Sequence, residues 1–165
     1  MKLHRAEADR YEFHLGRREQ KVFCEVLAAY PVTPLEHHRV SRAAVAEPDS
    51  KQALLTDSLQ AVKAAARKRL DAFLGNAQRF TVLADGYRVS FSREEMEWLL
   101  QVLNDVRVGS WLRLGAPDPE AAKPPRLTPE TARYLPLMEI AGHFEFVLLA
   151  ALDGTDGVGW APRER

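Results

Sequence analysis

Residues 80–96, Phe80-Thr81-Val82-Leu83-Ala84-Asp85-Gly86-Tyr87-Arg88-Val89-Ser90-Phe91-Ser92-Arg93-Glu94-Glu95-Met96, pass from one periodicity to another. Up to Phe91 the large apolar residues alternate on either side of Asp85-Gly86, which is the period of strands with one buried face. Asp-Gly between two such runs predicts a two-residue hairpin, because both turn residues tolerate positive φ. Pairing Ala84 with Tyr87 sets Val82 opposite Val89 and Phe80 opposite Phe91, so every large side chain lands on one face. Ser92 and Glu95 then form a capping-box pattern, and from Arg93 the apolar residues recur at helical spacing as far as Leu114, before Gly115. A hairpin feeding a long amphipathic helix makes the chain α+β.

The flanking segments extend this pattern. Leu3, then Tyr11, Phe13 and Leu15 alternating with Arg10, Glu12 and His14, predict a hairpin over the first fifteen residues. Val22, Phe23, Val26, Leu27 and Tyr30 predict a helix from Arg17 that Pro31 stops. Residues 31–48, with Pro34, Glu36-His37-His38 and Pro48, read as a connection holding at most a helical turn. Asp49 or Ser50 caps a long helix with the stripe Leu55, Leu59, Val62, Ala66, Leu70, Phe73 and Leu74, closed by Gly75. After a proline-rich loop, Thr128-Pro129 opens a last helix to Asp153-Gly154, either kinked at Pro136 or beginning there after a short turn. The expected fold is mainly α (α+β): about four principal helices with two short β-hairpins that join into one small sheet. It is expected as a single compact domain over residues 1–154, followed by a flexible tail over 155–165.

At 165 residues the chain is long enough to bury a core without disulfides or metal. Its 23 basic and 23 acidic residues cancel, so no overall field draws it to nucleic acid or an anionic membrane. The single cysteine excludes an intramolecular disulfide and any cysteine-rich cluster. The charged N-terminus lacks the apolar core of a signal peptide, and the apolar run Phe146 to Leu152 is far shorter than a bilayer span of about 20 residues. The expected location is the cytoplasm, with no membrane association.

On the third helix, Met96, Leu99, Leu100, Leu103, Val106, Ser110 and Leu114 form the apolar face, with Glu94, Glu97, Gln101 and Asn104 opposite. Arg107 projects into that apolar face and Asp105 to the other side. A guanidinium there requires either a carboxylate partner, for which Glu139 on the last helix is the candidate, or a route to water along its aliphatic stem. Cys24 reads as a structural, half-buried thiol or as a thiol sensor between chains, with Lys21 near enough to lower its pKa. His4, His14, His37, His38 and His143 show no ligand spacing. Lys63, Arg67, Lys68 and Arg69 are the best nucleic-acid candidates, but they spread over more than one helical face without interleaved aromatics. No catalytic residue, cofactor or metal site is expected.

The segment Glu95 to Arg107, with Trp111 to Gly115 behind it, resembles the signature helix of the AosR-like bacterial family. Leu103-Asn104-Asp105-Val106-Arg107 carries the match, and the order of elements over most of residues 1–152 is similar. The resemblance implies a small cytoplasmic protein without established enzymatic activity, connected with oxidative-stress regulation, and singles out Asn104, Asp105 and Arg107. The last helix is apolar nearly all round, so it is either central to the core or part of an interface. The expected function is therefore a non-enzymatic regulatory or adaptor role through protein–protein interaction, with an unknown protein partner or a second copy in a homodimer. A DNA-associated transcriptional regulator is the alternative, and an enzyme of unrecognised type is a distant third.

Overall fold

The structure is a computed structural model that describes residues 1–7, 9–37, 48–118, 120, 122 and 124–154. The tail over 155–165 and His38 lie outside the described residues. In chain order the elements are β1 Lys2–Glu7, β2 Arg10–Gly16, α1 Arg17–Ala28, α2 Pro48–Gly75, β3 Thr81–Val82, β4 Gly86–Ser92, α3 Arg93–Arg113 and α4 Tyr134–Leu152, with short 3-10 turns at Leu35–His37 and Ala77–Arg79. The two hairpins join into one antiparallel sheet of order β1-β2-β4-β3, and the whole is an α+β domain.

Alternation on the two central strands decides which face is covered. Tyr11, Phe13, Leu15, Val89 and Phe91 are buried towards the helices, while Arg10, Glu12, His14, Arg88 and Ser90 form the other face. Phe13 packs on Phe91 with ring centroids 5.8 Å apart, and Phe91 on Phe73 at 6.1 Å. Phe23 of α1 meets Phe144 of α4 edge-on at 4.9 Å. Such pairs contribute about 0.5–1.5 kcal/mol each beyond their burial, and with Phe23 also 6.4 Å from Phe91 they tie the sheet to α2 and α1 and, through α1, to α4.

The β3–β4 register differs from the expected one by two residues. Val82 pairs with Tyr87 and Thr81 with Arg88, so the loop holds four residues, Leu83 to Gly86, closed by Leu83 N–H donating to the Gly86 carbonyl at 2.9 Å. A shift of two preserves the faces. The left-handed turn geometry is absent: Gly86 has no positive φ. Glycine is required there because Gly86 pairs with Gly16, and a Cβ would overlap the Leu15 carbonyl.

The start of α3 follows its cap, whereas α2 begins at Pro48, so Asp49 and Ser50 lie inside that helix rather than capping it. Ser92 Oγ accepts from Glu95 N–H at 3.1 Å while Glu95 Oε2 accepts from Ser92 N–H at 2.9 Å, completing the capping box. Gly115, at φ 83°, ends α3 in the left-handed region. The last helix begins at Tyr134 after turns over 129–133, so Pro136 sits in its first turn, where a missing N–H breaks no helical bond. On α2, only the end of the expected stripe joins the core, while Leu55 and Leu59 further up are half-buried. Leu70 and Phe73 are buried, Ala66 and Leu74 pack beside them, and Val62 is 62% exposed. Twenty-eight residues at about 1.5 Å each make a rod longer than the core beneath it.

Candidate functional site

α3 is buried along two stripes, only one of which its apolar pattern announces. Leu99, Leu103, Val106 and Ser110 form the expected face. Trp98, Val102, Asp105 and Gly109, at helical spacing, form a second, in which Trp98 packs on Phe73 and Arg69 of α2 while Asp105 and Gly109 face the chain leaving α1. Asp105 Oδ1 accepts from the backbone N–H groups of Val32 at 2.7 Å and Thr33 at 3.1 Å, and its own carbonyl accepts from Thr33 Oγ1 at 2.9 Å. Lys63 of α2 closes the arrangement: its Nζ lies 3.0 Å from Asp105 Oδ2 and donates to the Thr33 carbonyl at 2.6 Å. Both charged side chains are only 13% exposed. Gly109 completes the fit, because a Cβ there would overlap the backbone of Val32 and Thr33. One carboxylate thus satisfies two loop amides and one buried cation, joining α1, α2 and α3.

The basic cluster is absorbed by the same junction. Arg67 donates to the carbonyls of Ala28 and Tyr30 at 2.9 and 2.7 Å, capping the end of α1, and pairs with Asp71 at 3.0 Å. Arg69 pairs with Glu94 at 3.1 Å and lies 4.5 Å over the Trp98 ring. With Lys63 on Asp105, three of the four cations are engaged internally, and only Lys68 is left as a purely solvated charge. The aromatic side chains of β2 and β4 face the helices, so the outer sheet face offers no stacking platform either.

Arg107 does not pair with Glu139. Its Nε lies 2.6 Å from Glu145 Oε2 and its Nη2 donates to Asn104 Oδ1 at 2.9 Å. Glu139 is exposed and makes no ion pair among the described residues. Six residues separate Glu139 from Glu145, a rotation of about 240° around α4, and it is Glu145 that the packing turns towards α3. Arg107 is also not buried: its side chain is 44% exposed and runs across Gly142, whereas Glu145 is 13% exposed. Burial pushes the Glu145 carboxyl up, against the pull of Arg107.

α4 belongs to the core along one stripe and is exposed along the other. Ala141, Phe144, Leu148 and Ala151 are buried. On the opposite side, Leu135 and Gly142 are half-buried while Phe146 and Leu149 are 42% and 48% exposed. Arg107 against Gly142 and Glu145, and Arg113 beside Tyr134 and Leu137, show α3 and α4 running antiparallel. Trp111, one turn beyond Arg107, is partly exposed on the same edge, its indole N–H donating to the Pro117 carbonyl at 2.9 Å. Asn104, Arg107 and Glu145 therefore form a neutral polar clasp beside an open apolar surface. Taken whole, α4 has the length and hydropathy of a membrane-crossing helix, which its Phe146 to Leu152 run alone does not; 28% of that apolar window is buried inside the molecule.

Cys24 is half-buried and accepts from Gln20 Nε2 at 3.4 Å. Burial and the Glu25 carboxylate push its thiol up. Lys21 is turned to Glu25, 3.8 Å away, rather than to the thiol. Among the described residues, no group of three or more His, Cys, Asp or Glu side chains is placed to hold a metal ion. The chain matches no protein-family model, no curated protein and no solved structure.

Proposed function

We propose that this protein is a non-enzymatic regulatory or adaptor module that works by protein–protein contact through the outward face of α4, with a second copy of itself as the first partner. The observation that carries this reading is the exposure of Phe146 and Leu149 on a helix whose opposite stripe already fills the core. Arg107 beside this surface is already neutralised by Glu145, so the surface demands no charged partner. A helix face of this kind meets its own copy across a twofold axis, each stripe covering the other. The resemblance of the Leu103 to Arg107 segment to the AosR-like family supports regulation, in a stress-related setting, over catalysis.

Sedimentation velocity over a range of protein concentrations tests the proposal. Wild type is expected to sediment as a dimer at high concentration, and Phe146→Glu or Leu149→Glu as a folded monomer. A wild type that stays monomeric throughout, or a Phe146→Glu protein that assembles as wild type does, overturns it.

A further inference from the structure

On the side of α4 turned away from Phe146, a cleft of about 280 Å³ opens between the end of α1, the last turn of α3 and the first turn of α4. Ala29, Pro31, Val32 and Leu137 give it an apolar wall, while Arg113, Arg133 and Tyr134 line the rest. Arg133 donates to the Tyr134 hydroxyl at 2.8 Å and lies 4.8 Å over that ring, which restrains the guanidinium at the cleft. Neither Arg113 nor Arg133 makes an ion pair among the described residues. This sets them apart from Arg67, Arg69, Arg79 and Arg107, each of which has its own carboxylate. The backbone at this helix start is already occupied: Tyr134 and Leu135 N–H groups donate to the Thr131 and Ala132 carbonyls, and Pro136 has no N–H. The donors free to act are therefore the two guanidinium groups and the phenol.

We propose that this cleft binds a small organic oxyanion, a carboxylate or phosphate carried on a compact apolar body. Planar guanidinium groups match the oxygen pairs of both anions. The apolar wall removes water from the ligand's body and strengthens the charged contacts beside it. The volume lies at the lower edge of the range for small-molecule sites, about 300–1,000 Å³, which limits the body to roughly one ring or a short chain. Binding here is independent of self-association, since Leu137 and Phe146 project from opposite sides of α4.

Methyl NMR of the intact protein tests the site, with benzoate, phenyl phosphate, inorganic phosphate and benzamide as probes. Benzoate and phenyl phosphate are expected to shift the Val32 and Leu137 methyls saturably. Inorganic phosphate, lacking the apolar body, and benzamide, lacking the charge, should each bind more weakly. Arg113→Gln and Arg133→Gln replace exposed side chains, so the fold is retained, and each should weaken benzoate by about tenfold or more, the cost of losing a charge-assisted hydrogen bond. Absence of saturable shifts with either aryl anion overturns the proposal. So does benzamide binding as tightly as benzoate, inorganic phosphate binding as tightly as phenyl phosphate, or affinity unchanged in both variants.

Discussion

Asp105 and Arg107 stand two residues apart on α3 and therefore point to opposite sides of it, about 200° apart. Asp105 is enclosed, with two backbone amides and a lysine converging on its carboxylate. Arg107 is open, its guanidinium shared between Glu145 and Asn104 at the rim of an uncovered apolar helix. Of these two charges, one holds the architecture and the other borders the exposed apolar face of α4, the proposed contact surface. Surroundings decide this: a buried carboxylate must have every lone pair answered, while a half-exposed guanidinium can share its donors with water.

The largest effect should follow from opening the enclosed side. Asp105→Ala strands Lys63 and leaves the Val32 and Thr33 amides without their acceptor, a loss of about 3 kcal/mol or more in urea unfolding. A loss below about 1 kcal/mol would place Asp105 with the surface charges. Gly109→Ala drives a methyl into the same loop backbone, and overpacking of this kind costs about 1–3 kcal/mol. If Gly109→Ala proved neutral, the close approach of α3 to residues 32–33 would be disproved.

Arg107→Ala should cost only about 1 kcal/mol, from stem packing over Gly142 and a half-exposed ion pair. A cost near that of Asp105→Ala would erase the contrast between the two sides. The smallest effect concerns pH. Burial and the Met1 ammonium hold the His143 imidazole below its ordinary value, with Glu19 acting in the opposite direction. The folded state therefore binds that proton less readily than the unfolded chain, so stability should decline as pH falls below about 6.5. His143→Gln should flatten the stability profile there. A wild-type profile already flat between about pH 6.5 and 5 would contradict this assignment.

The sequence makes some of this legible and hides the rest for physical reasons. The Ser92–Glu95 cap is a local exchange between residues three apart, so it can be read directly. Strand alternation likewise locates the buried sheet face, since side-chain direction follows residue parity. Asp85-Gly86 marks a real hairpin but misleads on register, because Gly86 is required by the neighbouring strand β2 rather than by the turn. Asp105 looks like a solvated helix charge: its partners at Val32 and Thr33 lie more than 70 residues away, and are backbone amides that no side-chain pattern reveals. The stripe on α2 shows which face is apolar, but periodicity carries no information on how far the core extends beneath it. For Arg107, a carboxylate on α4 was the right kind of partner, yet selecting Glu145 over Glu139 needs the rotation of α4 about its axis, which tertiary packing sets.

The division of α3 into a closed side and an open one is tested most directly by equilibrium unfolding at several protein concentrations. A chain stabilised by association through α4 gains stability by mass action as concentration rises. The unfolding midpoint of wild type should therefore increase with protein concentration. That of Phe146→Glu should stay constant, at the value wild type approaches on dilution. A wild-type midpoint that does not move with concentration, or a Phe146→Glu midpoint that still does, would contradict the account.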